Sequence, residues 1–135
     1  MSDPRGGSSV GRLKRRADFL RVAAVRRKWA APGLILQVAV QPEPAEAIPP
    51  ESIPESIRVG FTASRKVGNA VKRNRARRRL KALVREMIAT GANPGLDLVL
   101  IARPATVDRP FDELRRDLQQ SLQRTKAARR RPDPH

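Results

Sequence analysis

The sequence predicts an α+β fold, an α/β sandwich in which helices pack on a small central sheet. Two observations lead to this prediction. Short apolar segments typical of strands alternate with longer segments in which apolar residues recur every three or four positions, in the order α-β-β-α-β-α. The length of 135 residues also suits one domain with a single modest core.

The first two elements are a helix over residues 13–26 and a strand over residues 34–40. Helical spacing predicts an inward stripe on the helix made of Leu13, Ala17, Leu20 and Ala24. Alternation in the strand places its apolar residues on one face, namely Leu34, Leu36, Val38 and Val40. The other face then carries Ile35, Gln37 and Ala39.

A second strand over residues 58–63, with Val59 and Phe61 buried, leads into a long helix over residues 70–89. Gly68 permits the turn between the two elements, and Asn69 is suited to cap the helix. The second half of the helix carries an apolar stripe of Leu80, Leu83, Val84, Met87 and Ile88. Gly91 and the Asn-Pro-Gly run at 93–95 end it.

The near-continuous apolar run at 96–102 predicts a third strand at the centre of the sheet. Asp108 and Pro110 together resemble the start of a last helix, with Asp108 as its cap. The core stripe of that helix is Phe111, Leu114, Leu118 and Leu122.

Composition predicts the boundaries of the domain. Residues 1–10 form a small polar tail that we expect to be disordered, residues 11–126 form the single domain, and residues 127–135 form a basic disordered tail. Residues 41–57 contain five prolines and four glutamates, so they predict an exposed acidic loop between two strands.

Charge gives the first indication of function. The chain has 29 Lys and Arg against 13 Asp and Glu, a net charge of +16, which favours a polyanionic partner. The absence of cysteine excludes thiol chemistry and cysteine-bound zinc, and the only histidine, His135, stands at the C-terminus. No apolar run is long enough for a membrane span, so we expect a cytoplasmic protein with no membrane partner.

The basic residues concentrate in one segment. Nine of the 17 residues at 65–81 are Lys or Arg, and no carboxylate occurs between Arg58 and Arg85. In the predicted helix Lys72, Arg75 and Arg79 share one face, and Arg73 and Arg77 lie on an adjoining one. The first half of this helix has almost no apolar face, so we expect it to project towards a negatively charged partner. The phosphates of a folded RNA would be such a partner.

The pattern around these residues is more specific than their charge. The segment RVGFTASRKVGNAVKRNRARRRLKALVRE closely resembles the signature of the protein component of bacterial ribonuclease P. RLKRRADFLRV at 12–22 is similar to the N-terminal helix of that family, and DLVLIARP at 97–104 is similar to its third strand. These matches occur in the family's order and cover most of the chain.

The resemblance implies the fold of one domain of a small-subunit ribosomal protein, with an unusual left-handed β-α-β crossover. It also implies a protein that binds the catalytic RNA of ribonuclease P, one protein to each RNA subunit. That RNA removes the 5′ leader of precursor tRNA by Mg²⁺-dependent hydrolysis. The resemblance therefore implies no catalytic residue and no metal site in the protein itself, with Mg²⁺ bound mainly by the RNA.

The matched positions also imply two sets of site residues. The RNA-binding set is Arg65, Lys66, Asn69, Lys72, Arg73, Asn74, Arg75, Arg77, Arg78 and Arg79. The second set lines a cleft between the first helix and the sheet that receives the single-stranded leader, and consists of Phe19, Ile35 and Gln37. Phe19 stacks on a leader nucleotide or, on the alternative interpretation, packs in the core.

The sequence departs from the family pattern in three places. Ala23 and Gln37 stand where the family often has aromatic residues, which predicts less stacking and more hydrogen bonding in the cleft. The loop at 41–57 is long and acidic, so we expect it to point away from RNA.

Two other functions compete with this interpretation. A structural RNA-binding protein of the same fold would share the charge and the helix but play no part in cleavage. A protein-only nuclease would need a carboxylate pair to hold metal ions. The acidic residues outside the loop are instead scattered, and we interpret most of them as helix caps and solvated side chains: Asp18, Glu86, Asp97, Asp108, Asp112, Glu113 and Asp117.

Overall fold

The structure is a computed structural model that describes residues 9–42 and 56–129. Within these residues it contains five strands, three α-helices and two short 3₁₀ helices. The strands are β1 (Ser9–Arg12), β2 (Arg27–Ala30), β3 (Leu34–Val40), β4 (Ser56–Thr62) and β5 (Leu96–Ala102). The helices are α1 (Arg16–Val25), α2 (Ala70–Gly91) and α3 (Phe111–Arg124), and the 3₁₀ helices are Arg65–Val67 and Pro104–Val107.

The strands form one mixed sheet in the order β1-β4-β5-β3-β2. The predicted α+β fold is confirmed, and so is the central position of β5, which pairs in parallel with β4 and antiparallel with β3. β4, α2 and β5 form a parallel β-α-β unit, as the resemblance implies. The left-handed crossover stays a prediction.

The main core lies between one face of the sheet and the helices α2 and α3. The predicted stripes supply it. Leu34, Leu36 and Val38 of β3 are fully buried, whereas Val40, at the end of the strand, is 67% exposed. The apolar stripes of α2 and α3 complete this core, with Met87 and Phe111 only partly buried in it.

A second, smaller core lies on the opposite face of the sheet, where α1 packs. It contains Leu13, Val22, Ala39 and Val99, with Phe19 and Ile101 packed against it. The predicted inward stripe of α1 is wrong beyond Leu13, because Ala17, Leu20 and Ala24 are exposed. The inward face instead carries Phe19, Val22 and Arg21, whose charge is paired with Asp97 of β5, as described below.

Several predicted boundaries are also wrong. Ser9 and Val10, assigned to the N-terminal tail, pair with β4, while Ser56 and Ile57, assigned to the acidic loop, belong to β4 itself. Ala127, assigned to the C-terminal tail, is fully buried in the main core, and Ala128 bridges to Ala92. Residues 1–8 and 130–135 of the predicted tails, and residues 43–55 of the loop, lie outside the described residues.

The start of α3 also differs from the prediction. Asp108 ends the 3₁₀ helix Pro104–Val107, and Pro110 takes the N-cap position of α3. Asp108 is therefore not the cap of α3. It instead ends the separate 3₁₀ turn that lies between β5 and α3.

Candidate nucleic-acid interface

The turn from β4 into α2 places the first basic residues, and it forms as the sequence predicts. The side chain of Ser64 accepts a hydrogen bond from Lys66 N at 3.3 Å, Gly68 has a φ of 142°, and Asn69 Oδ1 accepts one from Lys72 N at 3.0 Å. Arg65, Lys66 and the first turn of α2 are therefore exposed at the same end of the molecule. Asn69 caps the helix with its oxygen, and its amide NH₂ group remains available to donate to a ligand.

Most cations in the first half of α2 belong to one of two groups. Lys72 and Arg78 are exposed, and beside Arg78 the Nη1 atom of Arg77 donates to Asn74 Oδ1 at 3.2 Å. This hydrogen bond holds Asn74 beside a guanidinium group, so the two can present donors to a sugar or phosphate together. These residues have the outward position that the sequence predicts for all the cations of α2.

Arg75 and Arg79 form the second group and contact the protein itself. Arg75 Nε donates to Val107 O at 2.9 Å, while Arg79 Nη1 donates to Thr106 O at 2.7 Å and Arg79 Nη2 to Arg109 O. Burial, and then the nearby charge of Arg75, lower the pKa of the Arg79 guanidinium, which still stays charged at neutral pH.

The expectation that the whole first half of α2 projects outward is therefore wrong for Arg79, which binds the turn before α3 with both terminal nitrogens. Arg75 uses only Nε in this way, and its residue stays exposed, so its remaining donors can still reach RNA. Ala76 provides the small buried surface by which this half of the helix packs.

Arg73 differs from both groups. Its side chain is half-buried, and Nε is enclosed without a hydrogen-bond partner in the part of the chain that the structure describes. An enclosed guanidinium donor without a partner costs free energy. Arg73 therefore has an unsatisfied donor near the start of α2.

The predicted cleft residues lie together on the α1 face of the sheet. The register aligns Lys28, Gln37, Val99 and Gly60 in one row across four strands, and the ring of Phe19 covers Gly60 so closely that a Cβ there would stand 2.6 Å from it. Ile35 lies two residues before Gln37 in β3, in the next row on the same face of the sheet. Gln37 is two strand spacings from Gly60, roughly 10 Å. Phe19, Ile35 and Gln37 are all half-buried, so each has surface left for a ligand.

An ion-pair cluster, which the sequence patterns did not predict, fixes α1 to this face of the sheet. Asp97 of β5 is fully buried, and Arg58 of β4 binds both of its oxygens, at 2.8 and 2.7 Å. Arg21 of α1 also binds Asp97 and donates to Val40 O at 3.2 Å. The hydrogen bonds to Asp97 raise the pKa of Arg58.

Two acidic residues, Asp97 and Asp117, are therefore exceptions to the interpretation of most acidic residues as helix caps or solvated side chains. Asp97 anchors α1, while the buried Asp117 accepts from Gly33 N at 3.0 Å and from Arg109 Nε at 2.7 Å, which raises the pKa of Arg109. The one signal available in the sequence was the position of Asp97 inside an apolar strand, where a charge needs a partner. Among residues 9–42 and 56–129 no group of three or more acidic, histidine or cysteine side chains is arranged to hold a metal ion.

No helix within the described ranges is both long and apolar enough to cross a membrane.

Comparison with known proteins shows the family. The family model described as Ribonuclease P matches residues 9–126. A "Ribonuclease P protein component" of Paramagnetospirillum magneticum is 54% identical over 118 residues, which cover 87% of this chain and 84% of that protein. Another, of Ruegeria pomeroyi, is 45% identical and covers 89% of this chain and 90% of its own length.

Solved structures support the fold independently. The ribonuclease P protein of Staphylococcus aureus superposes with a TM-score of 0.68 at 23% identity, over 87% of this chain and 97% of that one. The protein of Thermotoga maritima gives a TM-score of 0.63 at 21% identity, over 81% of this chain and 92% of that one. At these identities the likeness establishes the fold alone.

Proposed function

Because this chain belongs to the ribonuclease P protein family, we propose that it binds the catalytic RNA of ribonuclease P through α2 and the 5′ leader of precursor tRNA through the α1 face of the sheet. The holoenzyme would contain one protein for each RNA subunit and act in the cytoplasm. The observation that carries this proposal is the separation of two surfaces. One is the strongly basic surface of α2, and the other is formed by half-buried residues beside the ring of Phe19 on the α1 face of the sheet.

The basic surface is suited to the RNA subunit. Arg65, Lys66, Lys72 and Arg78 are exposed, and none of them forms an ion pair with a carboxylate in the ranges 9–42 and 56–129. Their charge is therefore available to phosphates. Asn74, Arg75 and Arg77 add directional donors on the same helix, which gives the surface hydrogen-bonding specificity beyond its charge.

The α1 face is suited to single-stranded RNA. Phe19 supplies an aromatic edge, Ile35 an apolar contact, and Gln37 an amide that can both donate and accept hydrogen bonds to a base edge. Lys28 of β2 pairs with Gln37 in the same row of the sheet, and its side chain can contact the phosphate backbone of the single-stranded RNA. Since the ion pairs of Asp97 hold α1 in place, this leader-binding surface is formed before the leader arrives.

Phosphodiester hydrolysis is assigned to the RNA subunit with its Mg²⁺ ions. The contribution of the protein is then electrostatic and positional: it neutralises phosphates that otherwise need Mg²⁺, and it extends the substrate contact to the leader. Activity at low Mg²⁺ should therefore depend on the protein most strongly.

Binding measurements test both surfaces. The protein should bind a bacterial ribonuclease P RNA with a steep dependence on salt, and the complex should bind precursor tRNA more tightly than mature tRNA. Equal affinity for the two tRNAs would contradict the leader assignment. Absence of binding to the RNA subunit would contradict the proposed function as a whole.

A further inference from the structure

A groove of about 490 Å³ lies beside the edge strand β1, away from the α1 face. Its volume is in the range of roughly 300–1,000 Å³ typical of small-molecule sites. The lining comes from β1, β4 and α2 and consists of Val10, Gly11, Arg12, Val59, Phe61, Arg78, Lys81, Val84 and Arg85.

The topology of the sheet explains why the groove exists. The register pairs Val10 with Ile57 and Arg12 with Val59, and the buried Ile57 and Val59 face α2, so Val10 and Arg12 face the same side. Among the strands of the sheet, α2 packs chiefly on β4 and β5. The edge strand β1 thus extends the sheet beyond the helix, and Val10 stays 40% exposed.

The chemistry of the groove combines an apolar floor with a cationic rim. Val10, Val59, Phe61 and Val84 form the floor, and Arg12, Arg78, Lys81 and Arg85 form the rim. The three cations from α2 lie along one edge of the helix, at spacings of three and four residues. No acidic side chain lines the groove, and within residues 9–42 and 56–129 none of the four rim cations forms an ion pair.

We propose that this groove binds an unpaired nucleotide of an RNA, with the base on the floor against Phe61 and the flanking phosphates on the rim. A surface that bound only phosphates would need no apolar floor, and an apolar ligand would need no rim of four cations. An unpaired nucleotide presents both features, a flat aromatic face and a negative backbone within a few ångströms of it.

The site is separate from the α1 face assigned to the leader, and it shares Arg78 with the basic surface of α2. Phe61 and Val59 point to the side of the sheet opposite to Gly60, the residue that Phe19 covers. The proposal rests on the proposed function only for the identity of the polyanion as RNA, and it adds a base-binding site on the α2 side.

Titration of the full-length protein followed by nuclear magnetic resonance tests the proposal with two matched probes. Adenosine 5′-monophosphate carries a base and a phosphate, whereas ribose 5-phosphate carries the phosphate alone. The nucleotide should shift the methyl signals of Val10, Val59 and Val84 and the ring signals of Phe61. It should bind at least about fivefold more tightly than ribose 5-phosphate, the lower end of what stacking of one base provides.

Variants assign the contacts. Phe61→Leu keeps an apolar floor without the ring, so it should abolish the preference for the nucleotide and leave ribose 5-phosphate binding unchanged. Lys81→Ala should weaken both probes. Arg116→Ala, which removes an exposed cation of α3 outside the groove, should change neither.

Three results would overturn the proposal. The two probes could bind equally and shift the same signals, the nucleotide could shift the Phe19 and Gln37 signals instead, or hexaglutamate could shift the floor signals at a lower concentration than the nucleotide. Occupation of the groove without binding to a ribonuclease P RNA would contradict the proposed function alone. Binding to that RNA without a nucleotide preference in the groove would contradict only the groove assignment.

Discussion

The division of the α2 cations predicts that neighbouring arginines have different roles. Arg79→Ala removes two charge-assisted hydrogen bonds, to Thr106 O at 2.7 Å and to Arg109 O. It also removes a guanidinium 6.0 Å from the centre of the Phe111 ring. Hydrogen bonds from charged groups contribute about 1.5–3 kcal/mol each, but water can replace part of this at a half-buried site. We expect the free energy of unfolding to fall by about 2 kcal/mol, or the Tm by roughly 8 °C.

Arg78→Ala is the matched control, one position away on the same helix. Arg78 is exposed and forms no side-chain hydrogen bond or ion pair within the described ranges, so its removal should change stability by less than about 0.5 kcal/mol. It should weaken RNA binding instead. Urea denaturation followed by circular dichroism, together with the Kd for the RNA subunit, measures both effects. Equal stability losses in the two variants, or a fully stable Arg79→Ala protein, would refute the division.

Three further predictions follow from the other sites. Asp97→Asn leaves Arg58 and Arg21 without their buried carboxylate and, because both arginines keep some exposure, should cost about 2–3 kcal/mol in urea denaturation; an unchanged midpoint would show that the cluster does not anchor α1. Phe19→Ala should weaken holoenzyme affinity for precursor tRNA more than for mature tRNA, whereas equal losses would assign the ring to packing. If the protein neutralises six to ten phosphates, its affinity for the RNA subunit should fall by about 10³–10⁵ between 50 and 200 mM salt; a flat response would contradict the electrostatic account.

The central part of the fold could be predicted because its segments carry long, regular patterns. The seven-residue alternation of β3 and the apolar stripes of α2 and α3 each repeat often enough to indicate one conformation. β1 and β2 have only four residues each, SVGR and RKWA, and no such pattern. They form strands because β4 and β3 offer them unpaired edges, which is information from the tertiary structure.

The orientation of α1 could not be predicted from hydrophobicity alone. Its apolar residues are spread around the helix, so Ala17, Leu20 and Ala24 make a stripe as plausible as one through Phe19 and Val22. What decides the orientation is the buried Asp97, which draws Arg21 inward and leaves Leu20 58% exposed. A pairing between residues so far apart in the chain leaves no trace in local periodicity.

The candidate interface was predictable in composition and only partly in geometry. The capping of α2 by Asn69 is a local pattern, and it is confirmed. The difference between Arg78, which faces solvent, and Arg79, which binds the turn before α3, depends on carbonyl groups about 30 residues away in sequence. The same residue type in the same run therefore serves two purposes that the sequence does not separate.

Cleavage of precursor tRNA by a bacterial ribonuclease P RNA at low Mg²⁺, measured with and without this protein, decides whether the chain acts as a ribonuclease P subunit. We expect strong stimulation by the protein, with cleavage at the mature 5′ end, and less stimulation with the Arg78→Ala variant. Tight RNA binding without stimulation of the cognate RNA would instead favour a structural RNA-binding protein of the same fold. Cleavage by the protein with no RNA subunit present would contradict the assignment of catalysis to the RNA.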